Sequence, residues 1–243
     1  GRGCCMTTTS NTTESNIYLD QSYYQNNLDY HVADSPWKAK QILQMVNKHQ
    51  LKPQSVYEIG CGAGEVLRQV QQNLASDIVF TGYDISPEAI ELARARVSDN
   101  LHFHCGDTLE MDVTPCDLLL CIDVFEHVED CFGFLRKMQS LGAQKLFHIP
   151  LDLSAQTIAR GAPLTNWRSQ YGHIHYYTKD TALATLTDSG YQIVDWMYTP
   201  SGVDQGTSIK AKLANIPRKV ASLFNQDLSV RLFGGYSLLV LAK

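Results

Sequence analysis

Three glycines, each separated by one residue, interrupt the sequence directly after a run of β-forming residues. The run Val56-Tyr-Glu-Ile59 alternates as a short buried strand does, and Gly60, Gly62 and Gly64 follow it. Apolar residues at helical spacing come next, so the segment predicts a strand, a glycine turn and a helix. Glycine lets a backbone approach a ligand closely, and a helix N-terminus presents free N–H groups. The turn is therefore either a ligand-binding site or only a tight strand–helix connection.

The spacing of these glycines differs from that of dinucleotide-binding proteins. The dinucleotide fingerprint G-x-G-x-x-G requires glycine at position 65, where this chain has Glu65. A catalytic Tyr-x-x-x-Lys pair is not formed by Tyr171 either, because His175 stands four residues after it. Both observations argue against a nicotinamide-dependent oxidoreductase, which stays an alternative on the same architecture.

The chain downstream alternates between predicted strands and helices. Strands are predicted at 55–60, 78–83, 101–105, 117–122 and 145–149, with helices at 64–74, 87–98 and 129–140. This alternation predicts a parallel sheet with right-handed crossovers. Polar side chains stand just past the strand ends, among them Asp84, Asp107 and Asp123. Since ligands in open α/β sheets bind outside the carboxyl ends of the strands, these groups predict one binding site.

Together these segments resemble the class I S-adenosylmethionine-dependent methyltransferases. The matching motifs are Glu58-Ile-Gly-Cys-Gly-Ala-Gly64, Tyr83-Asp-Ile-Ser-Pro87, Cys105-Gly-Asp-Thr108 and Cys121-Ile-Asp-Val-Phe-Glu-His-Val128. The resemblance covers residues 36–150 and continues more loosely to the end of the chain. It implies an α/β, doubly wound, Rossmann-like sheet of seven strands, mostly parallel with an antiparallel last strand and helices on both faces.

The resemblance also implies the cofactor and the residues that contact it. S-adenosylmethionine is the expected cofactor and S-adenosylhomocysteine the expected product. In this family pattern the glycine turn passes the amino-acid end of the cofactor, one acid accepts from the ribose, and another accepts from the adenine. The expected cofactor-binding residues are Glu58, Gly60, Cys61, Gly62, Asp84, Ile85, Gly106, Asp107, Thr108, Ile122 and Asp123.

The catalytic and acceptor-binding residues are harder to assign. His127, Asp123 and His173 are the candidates for a catalytic base, since histidine titrates near neutrality. Each histidine also has a purely structural interpretation. The candidate acceptor-binding residues lie in a tyrosine-rich N-terminal segment and in a polar connection after Pro150. They are Tyr23, Tyr24, Trp37, Arg168, Tyr171 and His173.

No metal site is predicted from the sequence. His102 and His104 alternate along one strand next to Cys105, which puts both imidazoles on one face. No carboxylate or cysteine with ligand spacing supports them, so no bound metal is expected.

The domain organisation is predicted as a disordered tail at 1–16 followed by a single methyltransferase domain at 17–243. Within that domain we expect an N-terminal cover helix beginning at Ser35 and Pro36, a loop at 150–177 and an inserted helical segment at 205–230. The segment presents an apolar line including Leu213, Val220 and Phe224, which is interpreted first as a lid, then as an acceptor contact or a membrane contact.

Composition limits the partners. The net charge of −5 argues against a nucleic-acid backbone as the main partner, and no apolar run approaches the length that spans a bilayer. Seven scattered cysteines indicate small-hydrophobe usage in a reducing compartment, so a cytoplasmic protein is predicted. The expected partner is a small-molecule acceptor. We expect no stable membrane insertion, and we expect the protein to be a monomer or a homodimer.

The function predicted from these observations is in-line methyl transfer to an O or N nucleophile of a small molecule such as a metabolite, a sugar or a natural-product intermediate. A non-catalytic S-adenosylmethionine-binding module remains a second alternative, because methyl transfer requires no signature base.

Overall fold

A seven-stranded mixed sheet forms the centre of the protein. The computed structural model describes residues 32–200 and 216–243. The predicted tail at 1–16 and the acceptor candidates Tyr23 and Tyr24 lie outside the described residues. The strand order is β3-β2-β1-β4-β5-β7-β6.

The elements follow one another in the predicted alternation. The strands are β1 Ser55–Ile59, β2 Val79–Asp84, β3 Leu101–Cys105, β4 Cys116–Ile122, β5 Gly142–Pro150, β6 Ile193–Thr199 and β7 Ser237–Ala242. The helices are α1 Ser35–Lys48, α2 Glu65–Gln71, α3 Pro87–Ala93, α4 Cys131–Met138, α5 Ala155–Arg160, α6 Ala162–Tyr171, α7 Lys179–Asp188, α8 Ile216–Phe224 and α9 Gln226–Phe233.

Strand direction creates a crevice beside β1. Strands β1 to β5 are mutually parallel, whereas β7 runs antiparallel to both β5 and β6. From β1 the chain builds outward to β2 and β3, and it then returns to the other side of β1 with β4. The order of strands reverses at this point, so the carboxyl ends of β1 and β4 open a crevice between them. The predicted fold class, including the antiparallel last strand, is confirmed.

Two buried clusters cover the two faces of the sheet. In β4, Leu118 and Leu120 belong to the cluster under α1 and α2, whereas Leu119 and Cys121 belong to the cluster under α4 and α7. Successive strand residues point to opposite faces, so an almost continuous apolar strand is what two-sided burial requires. Helices therefore pack on both faces, as the sequence predicts.

Helix starts follow the capping chemistry of the sequence. The Ser86 hydroxyl accepts a hydrogen bond from the Ala89 N–H at 3.2 Å, which caps α3 immediately before Pro87. At α1 the capping position is Asp34, and Ser35 is already the first helical residue. The sequence predicts Ser35 as the N-cap and Pro36 as the first helical residue. The cover helix α1 begins one residue earlier, at Ser35.

The prediction of a loop at 150–177 is wrong, because the segment contains α5 and α6. The Ser154 hydroxyl accepts from the Thr157 N–H, and the Thr157 hydroxyl accepts from the Ser154 N–H, which starts α5. Gly161, with φ of +65°, then separates the two helices. The helices are weakly apolar and largely exposed, so the hydrophobic periodicity that reveals buried helices is missing from their sequence.

The described part of the predicted insertion forms α8 and α9. The Asn225 side chain accepts from the Leu228 N–H at 3.0 Å and caps α9, and the Ser229 hydroxyl donates to the Arg218 carbonyl at 3.0 Å. Leu223 and Phe224 are 86% and 87% exposed. Leu213 lies outside the described residues. None of the described side chains of α8 and α9 lines the central cavity, and the prediction that the segment at 205–230 forms a lid stays a prediction.

Among the residues that the structure describes, no helix combines the length and the apolar character needed to cross a bilayer.

Candidate active site

The glycine turn lies at the mouth of the crevice and is held in a left-handed conformation. Gly60, Gly62 and Gly64 have φ of +70°, +52° and +77°, a region that residues with a Cβ rarely adopt. The Gly60 N–H donates to the carbonyl of Tyr83 at 2.8 Å, which ties the turn to β2. A Cβ at Gly60 would lie 2.6 Å from the side chain of Val124. Glycine is required here by both the backbone conformation and the close approach.

Asp84, at the end of β2, is attached to this turn. Its carboxylate accepts from the Gly62 N–H at 2.8 Å and from the Ser86 N–H at 2.9 Å. Burial raises the pKa of Asp84, and the hydrogen bonds from Ser86 and Gly62 oppose that rise. Each carboxylate oxygen has room for a further donor, so Asp84 both orders the turn and keeps acceptor capacity towards the crevice.

Glu58, in β1, is an acid buried below the turn. Its side chain belongs to a residue that is 2% exposed, and its Oε2 has no hydrogen-bond partner among the described residues. Burial raises the pKa of Glu58 to about 8; the charge of Lys38 opposes this, and the charge of Asp84 adds to it. A buried acid without a partner is costly to ionise, so a cation arriving from the crevice would relieve a cost already present.

Glu58 should make the stability of the ligand-free protein decline with pH. Its raised pKa means that the folded protein holds a proton that the unfolded chain has lost between about pH 4.5 and 8, so stability falls as pH rises through this window. Glu58→Gln is expected to flatten the decline, measured by urea denaturation at several pH values. Glu91→Gln is the control, because Glu91 is 68% exposed and pairs only with Arg94 on the surface. Equal pH slopes in the wild type and Glu58→Gln would contradict the assignment.

The third strand end contributes a polar turn. The Asp107 carboxylate accepts from the Leu109 N–H at 2.9 Å, while the Gly106 N–H donates to the carbonyl of Asp84 at 2.9 Å. Asp107 is exposed, whereas Thr108 is buried. The turn therefore presents a solvent-accessible carboxylate beside the end of β2.

Asp123 is the centre of an ion network at the end of β4. Its carboxylate lies 2.7 Å from the Lys38 Nζ and 2.6 Å from the His148 Nδ1, and the His148 Nε2 lies 2.9 Å from the Thr199 hydroxyl. Burial acts to raise the pKa of Asp123, but His148 and Lys38 outweigh it and lower that pKa. Asp123 also has φ of +55°, which few residues other than glycine, Asn and Asp adopt. A carboxylate so stabilised is a weak base at neutral pH.

A second group of titratable side chains follows directly. His127 and His173 meet with ring centroids 4.8 Å apart, and the His127 Nε2 lies 3.8 Å from the Glu126 Oε1. The His173 Nδ1 lies 2.6 Å from the Asp152 Oδ2. His173 follows α6, so the connection after β5 brings it back over the end of β4.

The acceptor candidates that the structure describes line the same cavity as these histidines. Trp37 packs edge-on against His148 with centroids 5.8 Å apart, and the Tyr171 ring lies 6.0 Å from that of His173. Arg168 is exposed one turn before Tyr171 on α6.

One cavity of about 1420 Å³ brings these groups together. Every predicted site residue that the structure describes lines it. They are Trp37, Glu58, Gly60, Cys61, Gly62, Asp84, Ile85, Gly106, Asp107, Thr108, Ile122, Asp123, His127, Arg168, Tyr171 and His173.

Sequence reasoning assigned no role to several residues of this site. Lys38 and His148 hold Asp123, Asp152 holds His173, and Glu126 is fully buried beside His127. A signal existed for His148, which is a polar residue inside an otherwise apolar run, and for Glu126, which stands directly before His127 just after β4. Lys38 carries no such signal, because its partner is 85 positions away in the sequence.

His102 and His104 both lie in β3. Among the described residues, the cluster whose possible metal-binding atoms all lie within 4.8 Å of one another is formed by Glu126, His127 and His173.

The chain matches the family model described as a methyltransferase domain over residues 51–179. This match includes more than half of the chain, which therefore belongs to the methyltransferase-domain family, within the class I S-adenosylmethionine-dependent methyltransferases.

Curated relatives match about two fifths of the chain. Ajmaline N-methyltransferase of Rauvolfia serpentina is 31% identical over 115 residues, which are 42% of this chain and 39% of that protein. Ubiquinone biosynthesis O-methyltransferase of Coxiella burnetii is 29% identical over 101 residues, which are 40% of this chain and 41% of that protein. The matches thus span about two fifths of the length of these relatives.

The fold extends over nearly the whole chain in a solved structure. Magnesium protoporphyrin IX methyltransferase from Synechocystis PCC 6803 with bound SAH superposes with a TM-score of 0.54 at 16% identity, covering 98% of this chain and 89% of that one. This likeness shows the fold.

Proposed function

We propose that this chain transfers a methyl group from S-adenosylmethionine to an oxygen or nitrogen atom of a small molecule bound in the central cavity. The observation that carries the proposal is the buried Glu58 carboxylate below the glycine turn, with one oxygen lacking a partner among the described residues. S-adenosylmethionine carries an ammonium group that would supply the missing partner. The residues present therefore fit the cofactor.

The strand ends suit the rest of the cofactor. Gly60, Cys61 and Gly62 would pass their backbone along the amino-acid end of the cofactor, and the turn that allows this needs glycine at position 60, where a Cβ would clash with Val124. Asp84 keeps acceptor capacity for the two ribose hydroxyls after bonding the Gly62 and Ser86 amides.

The adenine would lie between the ends of β2 and β3. Ile85 is 42% exposed and offers an apolar surface to the ring, and the accessible Asp107 carboxylate offers an acceptor to its amino group, beside Gly106 and Thr108. Ile122 and Asp123, at the end of β4, would border the methionine end.

The chemistry needs little from the protein beyond alignment. The bound cofactor supplies a sulfonium-activated methyl group. The side chains around it hold the acceptor in line and exclude water, which contributes most of the rate in such a displacement. Of the candidate bases, Asp123 is poorly suited because its pKa is lowered. His127 and His173 face the cavity beside the end of β4 and, when no ion occupies their ring nitrogens, are the better candidates to hold the acceptor's proton.

The acceptor class rests on the cavity and on the relatives. At about 1420 Å³ the cavity is larger than the roughly 300–1000 Å³ that one small ligand requires, so cofactor and acceptor have room together. The names of the relatives include both an N- and an O-methyltransferase, which supports both nucleophiles. Trp37, Arg168, Tyr171 and His173 are proposed to contact the acceptor. Cytoplasmic localisation and a monomer or homodimer remain predictions from the sequence.

A methyl-transfer screen tests this function. Wild-type protein with S-adenosylmethionine labelled in its methyl group is expected to label at least one member of a library of phenols, amines and hydroxylated metabolites. Asp84→Ala protein is the control for contaminating activity. If the wild type binds the cofactor but labels no acceptor, the non-catalytic binding module becomes the better account.

A further inference from the structure

The Glu126 carboxylate is an unusual feature of this cavity. Glu126 is 0% exposed, and neither carboxylate oxygen has a hydrogen-bond partner among the described residues. Its backbone is well satisfied, because its carbonyl accepts from the N–H groups of Ile174 and His175. These bonds fix the position of a side chain that lines the cavity. The His127 Nε2 lies 3.8 Å from this carboxyl group but does not hydrogen-bond to it, so a cation bound beside Glu126 would offset the cost of ionising it.

Two imidazoles stand next to this carboxylate. Glu126, His127 and His173 each offer one ligand atom, and these atoms lie within 4.8 Å of one another. The three residues come from two segments, the turn after β4 and the segment after α6. The fold, rather than local sequence spacing, brings them together.

Asp152 prepares His173 for a ligand. Its Oδ2 lies 2.6 Å from the His173 Nδ1, and both side chains are nearly buried. A carboxylate at that distance accepts the Nδ1–H, so the lone pair of the neutral ring lies on Nε2. Carboxylate–histidine pairs of this kind accompany metal-binding histidines and set the tautomer and the ring orientation.

We propose that Glu126, His127 and His173 bind a divalent first-row transition-metal ion at the edge of the central cavity. This revises the sequence prediction that no metal is bound. Contact between the ion and the methyl acceptor rests on the proposed function, whereas metal binding itself does not.

The donor set selects the class of ion. Two imidazole nitrogens and one carboxylate oxygen suit Zn²⁺, Co²⁺ or Fe²⁺, whereas Mg²⁺ prefers oxygen ligands and retains its waters. Bonds of about 2.1 Å would bring the three ligand atoms to roughly 3.4 Å apart, so side-chain rotation would have to shorten the present separations, which reach 4.8 Å, by up to about 1.4 Å. Three protein ligands leave open positions on the ion. An oxygen of the methyl acceptor would bind there and be oriented towards the cofactor.

A cobalt titration tests the site directly. Protein stripped with a chelator and free of affinity tags is titrated with Co²⁺, followed by visible absorption and by calorimetry. We expect one equivalent of Co²⁺ to bind and Zn²⁺ to displace it, and we expect Mg²⁺ at the same concentrations to leave the spectrum unchanged.

Variants assign the ligands. Glu126→Gln and His173→Ala are expected to lose tight Co²⁺ binding, and Asp152→Asn to weaken it by about 10- to 100-fold, the usual effect of losing such a partner. His175→Gln is the matched control, because His175 lies two residues from His173 and its ring bonds the Val128 carbonyl. Retained affinity for S-adenosylmethionine in each variant shows that the fold persists.

Two results would overturn the proposal. One is a wild-type protein that binds no Co²⁺ and gains no thermal stability from Zn²⁺ over Mg²⁺. The other is binding that persists in His173→Ala. The thermal shift of the wild-type protein with Zn²⁺ tests metal binding without any substitution. The proposal therefore stays falsifiable even if a variant of a metal-binding residue fails to fold. S-adenosylmethionine binding without any metal binding would leave the proposed function intact and remove only this site.

Discussion

Replacing Asp123 with alanine is expected to lower the free energy of unfolding by about 3–5 kcal/mol, the typical result of breaking a buried ion pair by removing one partner. Lys38 and His148 would both lose the carboxylate that they contact at 2.7 and 2.6 Å. Their side chains are only 16% and 3% exposed, so water from the cavity that these residues line would replace it incompletely. Urea denaturation at neutral pH measures the change.

Asp195 provides a matched control for this experiment. It also pairs with a lysine and a histidine, Lys48 and His49, each at 2.6 Å. Those partners are 56% and 25% exposed, so Asp195→Ala is expected to cost about 0–1 kcal/mol. Equal losses in the two alanine variants would contradict the account of Asp123.

Asp123→Asn separates charge from backbone strain at this position. Asparagine tolerates φ of +55° better than alanine, so this variant should recover part of the stability.

The pH dependence of Asp123 has a definite sign. Its pKa is lower in the folded protein than the value of about 3.9 in an unfolded chain, so its contribution is present at neutral pH and is lost as pH falls below about 4. Asp123→Ala should therefore lose less stability than the wild type on acidification from pH 6 to pH 3.

Replacing Asp84 with alanine is expected to weaken S-adenosylmethionine binding by about a hundredfold or more. Two charge-assisted hydrogen bonds to the ribose, each worth about 1.5–3 kcal/mol, would be lost. The Gly62 N–H would lose its acceptor as well, which loosens the turn. Calorimetric titration with S-adenosylmethionine measures the loss.

Asp117→Ala is the control for Asp84. The Asp117 carboxylate also accepts two backbone N–H groups, those of Gln54 and Ser55. It lies near the amino end of β4, at the opposite end of the strands from the cavity. Its removal should lower stability without changing cofactor affinity. If Asp84→Ala folds and binds the cofactor as tightly as wild type, Asp84 does not contact the ribose.

The part of the site that could be predicted lies at strand ends. Glu58 lies two residues before Gly60 near the end of β1, Asp84 ends β2, and Asp107 follows Gly106 just after β3. Because β1, β2 and β3 are parallel, these three acids come to the same end of the sheet. Local sequence determines both the strand and the polar residue after it. All three side chains consequently line the cavity, as predicted.

The part that could not be predicted depends on contacts between distant segments. Asp123 was predicted as a catalytic or cofactor contact, but its partners Lys38 and His148 come from α1 and β5. Glu126 lies in a recognisable motif, yet only the folded chain shows that its carboxylate is buried without a partner. Burial and pairing across segments are tertiary properties that spacing along the sequence does not carry.

Helices α5 and α6 show a second limit. Their sequences are polar and exposed, so they lack the apolar stripe by which a buried helix is identified. Ser154 and Thr157 are a possible helix cap in the sequence. Because no apolar stripe follows them, the sequence predicts a polar connection there instead of a helix. The same connection nevertheless brings His173 to the cavity.

The wild-type protein is titrated calorimetrically with S-adenosylmethionine and, separately, with NAD. This measurement decides whether the central cavity binds S-adenosylmethionine. We predict stoichiometric binding of S-adenosylmethionine, competition by S-adenosylhomocysteine and no detectable heat of binding with NAD. Binding of NAD without binding of S-adenosylmethionine would contradict the assignment of this cavity and favour an oxidoreductase.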